Sequence, residues 1–224
     1  MSATEYAITI TIAPETSQSL VQGGYSFCAF KAIATTVGGG GTPLYWIAMK
    51  GQATTISIRW ATNYAAYVSP SEEIGDDIVA VPTASGSVFN VEAGGRGPVT
   101  DDGLPGAISI LNTSSTPYTS GLATGANHNP SPFAAFPLFG YMMNAFAPIE
   151  QVILTFTSYP VRQRRAAERL YEQGLFIDFA AAPERECALR YDWNSGWSWD
   201  GGSWIRTIPP NTQLAPLLIR HARL

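Results

Sequence analysis

The chain has 224 residues, of which 46% are apolar and only 13% charged, about half the usual charged share. This composition excludes a disordered or coiled-coil protein, and 21 glycines and 16 prolines without a fixed period exclude a collagen-like one. The net charge of −4 argues against nucleic acid as a partner, because phosphate binding needs a basic surface. The charge is uneven: residues 1–150 hold 4 basic and 10 acidic side chains, and residues 151–224 hold 9 and 7.

The N-terminal residues, MSATEYAITITIAPE, have no basic start and no long apolar run. We therefore expect no signal peptide and a cytoplasmic location. No stretch of about 18 uninterrupted apolar residues predicts a transmembrane helix. Cys28 and Cys187 are too few for a disulfide framework, and both are expected to be buried free thiols.

Period-2 alternation of apolar residues predicts a series of short strands in the first 111 residues. Tyr6, Ile8, Ile10 and Ile12 share one face of the first strand, which Pro14 ends before a polar turn. Turn signals recur at the spacing typical of a sandwich or barrel, and no helical stripe indicates a βαβ sheet. Further strands are expected over residues 25–30, 44–49, 55–60, 64–68, 78–81, 87–91 and 107–111.

Residues 112–148 break this pattern. Their first half is polar and turn-forming. Their second half, residues 131–146, is rich in Phe and Met without strand alternation and is here called the Phe/Met-rich segment. Loops longer than about 12–15 residues are uncommon in compact domains and are usually either functional or disordered. We therefore expect a loop insertion at about 112–148, the second half of which covers an apolar cavity as a lid. Ser131 and Pro132 would begin a short helical turn there.

After a strand at 151–157, the sequence predicts one short helix over 162–173, in which Glu168 can pair with Arg164 one turn away. Strands follow at 175–179, 187–193, 197–199 and 204–207, the last three as a meander, with an edge strand or tail at 217–219. The predicted fold class is all-β. Residues 1–224 would form a single antiparallel β-sandwich domain, or a barrel-like relative, with a long loop insertion and one short helix.

The motifs of metal and cofactor sites are missing from the sequence. Two histidines without CxxC or HExxH spacing do not make a zinc site. Asp192, Asn194 and Asp200 resemble part of a calcium loop, but no Glu completes it. Glycine-rich residues 38–41 and 94–97 match no phosphate loop, and no nucleophile elbow occurs. We therefore expect no metal and no cofactor, and no motif indicates a known family.

The candidate catalytic residues are His128 and Tyr118. His128 lies in the turn-prone sequence Asn-His-Asn-Pro, where it either holds a turn or acts as a general acid or base, with Tyr118 as an alternative. A second open question concerns the arginine cluster in residues 162–169. It is either a solvated helix face or a docking surface for an acidic partner or another copy of the chain.

Aromatic residues are the strongest candidates for ligand binding. Four of the six tryptophans lie between residues 193 and 204 beside carboxylates and amides, an arrangement that either fills the core or binds sugars and small amphiphiles. The candidate ligand-binding residues are Tyr191, Trp197, Trp199 and Asp200 in this region and Phe133, Phe136, Phe139, Tyr141 and Met142 in the lid.

Two functions remain open from the sequence. The favoured one is a non-enzymatic, lectin-like recognition protein that binds a carbohydrate, a lipid or a small apolar ligand through an aromatic-rich surface or cavity. In a variant of this function, the Phe/Met-rich segment contacts a membrane surface. The alternative is a cofactor-independent isomerase or cyclase with an apolar, lidded pocket. Homo-oligomers are compatible with either function.

Overall fold

The computed structural model describes residues 3–51, 53–126 and 129–222. It is mostly β, with 51% strand and 6% helix, in several mixed or antiparallel sheets packed together, which confirms the predicted all-β sandwich. Within the described residues, no helix is long and apolar enough to cross a membrane. The strands are β1 (Glu5–Ile12), β2 (Ser26–Thr35), β3 (Thr42–Pro43), β4 (Ile47–Lys50), β5 (Thr55–Ala61), β6 (Tyr64–Ser69), β7 (Val79–Pro82), β8 (Val88–Val91), β9 (Val99–Thr100), β10 (Ile108–Asn112), β11 (Tyr118–Ala126), β12 (Asn129–Pro132), β13 (Ala134–Leu138), β14 (Met143–Thr157), β15 (Gly174–Asp178), β16 (Glu186–Asp192), β17 (Gly196–Trp199), β18 (Ile205–Ile208) and β19 (Ile219–His221), and the helices are α1 (Pro14–Gln22) and α2 (Ala215–Leu218).

Three sheets form the sandwich. The first has the order β17-β16-β1-β5, and the second the order β3-β13-β11-β6-β7 with β12 beside β11. The third runs β18-β15-β14-β10-β8-β9, and β2 joins it by pairing with β14, β4 and β19. Most pairs are antiparallel, but β1 with β16, β8 with β10 and β2 with β19 are parallel.

The core lies between the sheets. In β1 and β5 the even-numbered residues Ile8, Ile10, Ile56 and Ile58 face inward and are buried, while the residues between them face outward. This is the alternation that the sequence predicts for half-buried strands. By contrast, all ten residues of β2 are buried, because other elements cover both of its faces.

Residues 112–148 are largely strands, not the predicted loop, and they contribute β11, β12, β13 and the start of β14. They lack alternation because β11 is buried on both faces from Tyr118 to Thr124. Small side chains make this possible. A Cβ at Gly121 would lie 2.3 Å from the carbonyl oxygen of Ala134 and 2.9 Å from the Tyr67 ring, so glycine allows β11 and β13 to approach. Residues 131–132, expected to start a helical turn, lie in β12.

The helix predicted over 162–173 is wrong. The backbone of this segment bonds to other segments: Arg164 N–H donates to the Tyr45 carbonyl at 2.8 Å, and Leu170 N–H to the Thr212 carbonyl at 2.9 Å. Arg164 also has a left-handed backbone with φ 68°, which interrupts a helix. Instead, the first helix is α1, where a polar turn was expected, and Pro14 is its first residue, a favoured position for proline.

The predicted meander at the C-terminal end is only half correct. β16 and β17 pair as a hairpin, with Leu189 opposite Trp199. β18, however, pairs with β15 in another sheet. The turn between β17 and β18 therefore crosses from one layer of the sandwich to the next.

Cys28 and Cys187 are free and buried, as expected, and burial raises the pKa of each thiol to about 12.

Candidate functional site

Residues 139–143, here called the apolar turn, comprise the connection from β13 to β14 and the first residue of β14. They carry a cluster of exposed apolar side chains. Phe139 is 63% exposed, Tyr141 71%, Met142 56% and Met143 44%. Soluble proteins usually scatter single exposed apolar residues and avoid contiguous ones, so such a cluster indicates an interaction surface. Phe139, Tyr141 and Met142 were among the candidate ligand-binding residues.

The backbone of the apolar turn is held in place. Tyr141 N–H donates to the Ser114 carbonyl at 3.1 Å, Asn112 N–H to the Met142 carbonyl at 2.9 Å, and the Asn112 side-chain amide to the Phe139 carbonyl at 3.1 Å. A Cβ at Gly140 would lie 2.9 Å from Cα of Ser115, so only glycine permits this approach. The hydrogen-bonded backbone presents the four side chains to solvent. Because this backbone is already ordered, less conformational entropy is lost when the turn binds a partner.

The aromatic residues just before the turn behave differently. Phe133 and Phe136 are fully buried in the core, and Phe136 contacts Phe146 with ring centroids 5.0 Å apart. They pack between the sheets and do not form an accessible lid. The Phe/Met-rich segment is therefore divided into a core half and an exposed half.

Of the two catalytic candidates, the structure describes only Tyr118. Tyr118 is buried, and its hydroxyl accepts a hydrogen bond from Gly94 N–H at 3.1 Å and lies 3.4 Å from the Glu92 carbonyl oxygen. This geometry fixes the 92–95 loop to β11. His128 lies outside the described residues.

The tryptophan-rich tail is mostly packing. Trp197 is buried and stacks on Phe156 at 5.5 Å, while Tyr191 contacts Phe156 at 4.4 Å. Trp199 is half-buried against the same core, and exposed Asp200 pairs with Arg190 at 3.5 Å. Asp192, which was considered for calcium, accepts hydrogen bonds from Asn194 N–H, Ser195 N–H and the Thr16 hydroxyl. These contacts form a turn. Tyr191 and Trp199 themselves are only partly accessible to solvent.

A buried ionic cluster, which the sequence analysis missed, lies in the middle of the sandwich. Lys31 on β2 is completely buried, and its Nζ is 2.9 Å from Oε2 of Glu150. Trp60 Nε1 donates to the same oxygen at 2.9 Å, and the Tyr64 hydroxyl donates to Oε1. The ammonium also lies over aromatic rings, 4.7 Å from the Trp60 centroid, which favours a cation.

A bulge in β14 brings Glu150 to this place. Ile149 pairs with Ala32 of β2 and Val152 with Lys31, so Glu150 and Gln151 are additional residues between the two runs of pairs. Such bulges redirect a side chain that regular pairing would send to the other face. The result is a carboxylate with three donors inside the core, which is the arrangement that a buried charge requires.

The electrostatics follow from this geometry. Burial alone would raise the pKa of Glu150, but the Lys31 charge and the hydrogen bonds from Tyr64, Lys31 and Trp60 outweigh it and hold the pKa below its usual value. Burial lowers the pKa of Lys31, and Glu150 opposes that shift. Lys31 has no exposed surface, whereas the Glu150 side chain keeps 13% of its surface exposed, so the ammonium is available only to its partners inside the protein.

We expect the Glu150 carboxylate to contribute to acid unfolding. Since its folded pKa lies below the unfolded value, its stabilisation is present above the unfolded pKa and is lost as the pH falls through the folded pKa. Urea unfolding between about pH 3 and 6 should therefore show a steeper loss of stability for the wild type than for Glu150→Gln. Exposed Asp192, the pKa of which hydrogen bonds also lower, contributes equally to both proteins. Identical slopes would contradict the assignment.

Two arginines of the cluster pair with acidic side chains of the same chain. Arg164 pairs with Asp76 at 3.1 Å, and Arg165 pairs with Glu73. Both acids belong to the acidic loop at residues 71–77. Long-range pairs of this kind explain why these arginines do not form the helical pairs that their spacing predicts.

Comparison of the chain with protein-family models, curated proteins and solved structures finds no match. Its function must therefore be inferred from its own side chains. The surface that stands out is the apolar turn, since it combines exposure with a fixed backbone.

Proposed function

We propose that this protein is a recognition protein that docks on a lipid surface through the apolar turn. The observation that carries the proposal is the exposure of four large apolar side chains, Phe139, Tyr141, Met142 and Met143, on a hydrogen-bonded backbone. Phe and Met supply apolar area for the acyl region, and tyrosine suits the boundary between headgroups and acyl chains.

The charge distribution supports a lipid surface as the partner. Residues 103–149 contain no Asp, Glu, Lys or Arg, so contact through this stretch requires no charged side chain of its own to lose water. Charged groups are costly to bring into the acyl region. The turn itself carries no cations, so anionic headgroups would not attract it. We therefore expect it to bind a zwitterionic bilayer.

The size of the surface argues against a second copy of the chain as the partner. Taking roughly 200 Å² for each large side chain, the exposed fractions of the four residues amount to about 500 Å². A stable protein interface buries about 800 Å² on each partner. Two apolar turns alone would therefore make too small a dimer interface, whereas insertion into lipid needs no complementary surface.

Vesicle binding tests this proposal. The wild type should co-sediment with phosphatidylcholine vesicles, and the double variant Phe139→Ser/Met142→Ser should bind at least about tenfold less, because burial of each side chain contributes about 1.5–3 kcal/mol. The exposed residues Val21 and Tyr159, at 50% each, lie elsewhere in the chain, so Val21→Ser and Tyr159→Ser are matched controls. Binding should persist at high salt, since it is not ionic.

Two results would overturn the proposal. One is vesicle binding that the double variant retains in full. The other is a concentration-dependent dimer of the wild type in sedimentation equilibrium that the double variant abolishes, which would assign the turn to self-association. We also propose a cytoplasmic location, with which the two free thiols are in keeping, because that compartment is reducing.

A further inference from the structure

A second surface, here called the tyrosine groove, lies between the end of β4 and the irregular segment that precedes β15. It is open to solvent and has a volume of about 650 Å³, which is within the range of small-molecule sites. The side chains that give it its chemistry are those of Lys50, Tyr159, Arg162, Arg165, Glu168 and Tyr171. None of them belongs to the apolar turn or to the ionic cluster.

The groove is cationic, although the whole chain is acidic. Among the side chains that line the groove, three are cations, Lys50, Arg162 and Arg165, and one is a carboxylate, Glu168. A second carboxylate, Glu172, lies beside the groove, where it accepts hydrogen bonds from Ser158. In the part of the chain that the structure describes, no salt bridge joins Lys50 or Arg162 to an acidic side chain. Arg165 pairs with Glu73, the side chain of which is 76% exposed, and such exposed pairs are weak enough to exchange for another anion.

A pair of stacked tyrosines forms one wall of the groove. The rings of Tyr159 and Tyr171 lie 4.3 Å apart at 15°, and the two residues are 50% and 46% exposed. Glu172 holds them together by accepting hydrogen bonds from Ser158 N–H at 2.9 Å and from the Ser158 hydroxyl at 3.1 Å. The stack therefore offers a preformed aromatic platform beside the cations.

We propose that the tyrosine groove binds a small anion that carries a flat aromatic ring, with the chemistry of a nucleoside phosphate. Its phosphate would take charge-assisted hydrogen bonds from Arg162 and Arg165, and Lys50 would add a further cation. Its ring would stack on the exposed side of the tyrosine pair, which binds any base by its face. A free nucleotide suits the groove better than a nucleic acid, because the chain as a whole carries a net charge of −4.

Calorimetry with adenosine 5′-monophosphate and its two fragments tests this inference. The nucleotide should bind more tightly than adenosine or ribose 5-phosphate, and added salt should weaken the nucleotide and ribose 5-phosphate but not adenosine. Arg162→Gln should weaken nucleotide binding by about tenfold while sparing adenosine. Tyr171→Ala should weaken it by about tenfold while sparing ribose 5-phosphate.

Arg190→Gln is the matched control, because Arg190 is exposed and pairs with Asp200 away from the groove; it should bind the nucleotide as the wild type does. The inference is overturned if the nucleotide binds no better than ribose 5-phosphate or if neither groove variant weakens it. It is also overturned if a single-stranded oligonucleotide displaces the nucleotide with higher affinity, which would indicate nucleic acid. Vesicle binding should be unchanged in both groove variants, so the two proposals fail independently.

Discussion

Lys31→Met should lower the free energy of unfolding by about 3–5 kcal/mol, the range for a buried ion pair that loses one partner. The ammonium of Lys31 is fully buried and forms the only ionic contact of Glu150 in the described chain. Its removal would leave a carboxylate in the core with two neutral donors, Trp60 and Tyr64. Met has a similar shape, so the loss would report the unpaired charge and not a cavity.

Two further variants make this prediction specific. Lys31→Met/Glu150→Gln should be more stable than Lys31→Met alone, since an amide oxygen can still accept from Trp60 and Tyr64 without carrying a buried charge. Lys50 is the other lysine of the chain and is exposed, so Lys50→Met should change stability by less than about 0.5 kcal/mol. Denaturant midpoints measure all three. If the double variant is no more stable than the single one, the cost of Lys31→Met does not come from the unpaired carboxylate.

The strands that the sequence predicts well are those with one face in the core. β1 and β5 alternate because the sheet that contains them has one face toward solvent, and period-2 patterns report that situation directly. β16 and β17 of the same sheet were found for the same reason. The sequence does not indicate which sheet a strand joins. Whether β18 continues the hairpin or pairs with β15 depends on partners far away in the chain.

The strands that the sequence misses are buried on both faces. β11 contains Ser120, Gly121, Ala123 and Thr124, which are small and buried, so its composition resembles that of a turn. For residues 162–173 the error is the opposite one, since the sequence predicts a helix where the structure has an irregular segment. Its spacing favours a helix, but the acidic loop supplies long-range partners for Arg164 and Arg165 that local spacing cannot reveal.

The ionic cluster could not be predicted from the sequence alone. Lys31 and Glu150 are 119 residues apart in the chain, and no local motif links them. A signal was nevertheless present, since Lys31 lies in the apolar run Phe27–Ile33 and a charge there must find a buried partner. The groove tyrosines carried no comparable signal, because Tyr159 and Tyr171 have no motif that links them in the sequence and come together only in the fold, where their rings stack beside the Ser158–Glu172 hydrogen bonds.

Phe136→Ala should lower the free energy of unfolding by about 3–5 kcal/mol, the cost of removing a fully buried phenylalanine. Phe136 is 1% exposed and packs on Phe146. A Cβ at Gly41 would lie 2.2 Å from its ring, which shows how closely backbone surrounds it and how little the site can collapse. Phe139 is three residues further along the same segment and 63% exposed, so Phe139→Ala should change stability by less than about 0.5 kcal/mol.

The contrast between these two variants separates the two halves of the Phe/Met-rich segment. Urea midpoints should fall sharply for Phe136→Ala and stay near the wild-type value for Phe139→Ala, while vesicle binding should be lost only with variants of the apolar turn. A lid over a ligand cavity would give the reverse for Phe136: a small stability loss and a large loss of binding. If Phe136→Ala lowers the free energy of unfolding only slightly and Phe139→Ala lowers it strongly, the turn packs on the domain. The lipid-docking proposal would then lose the exposure on which it depends.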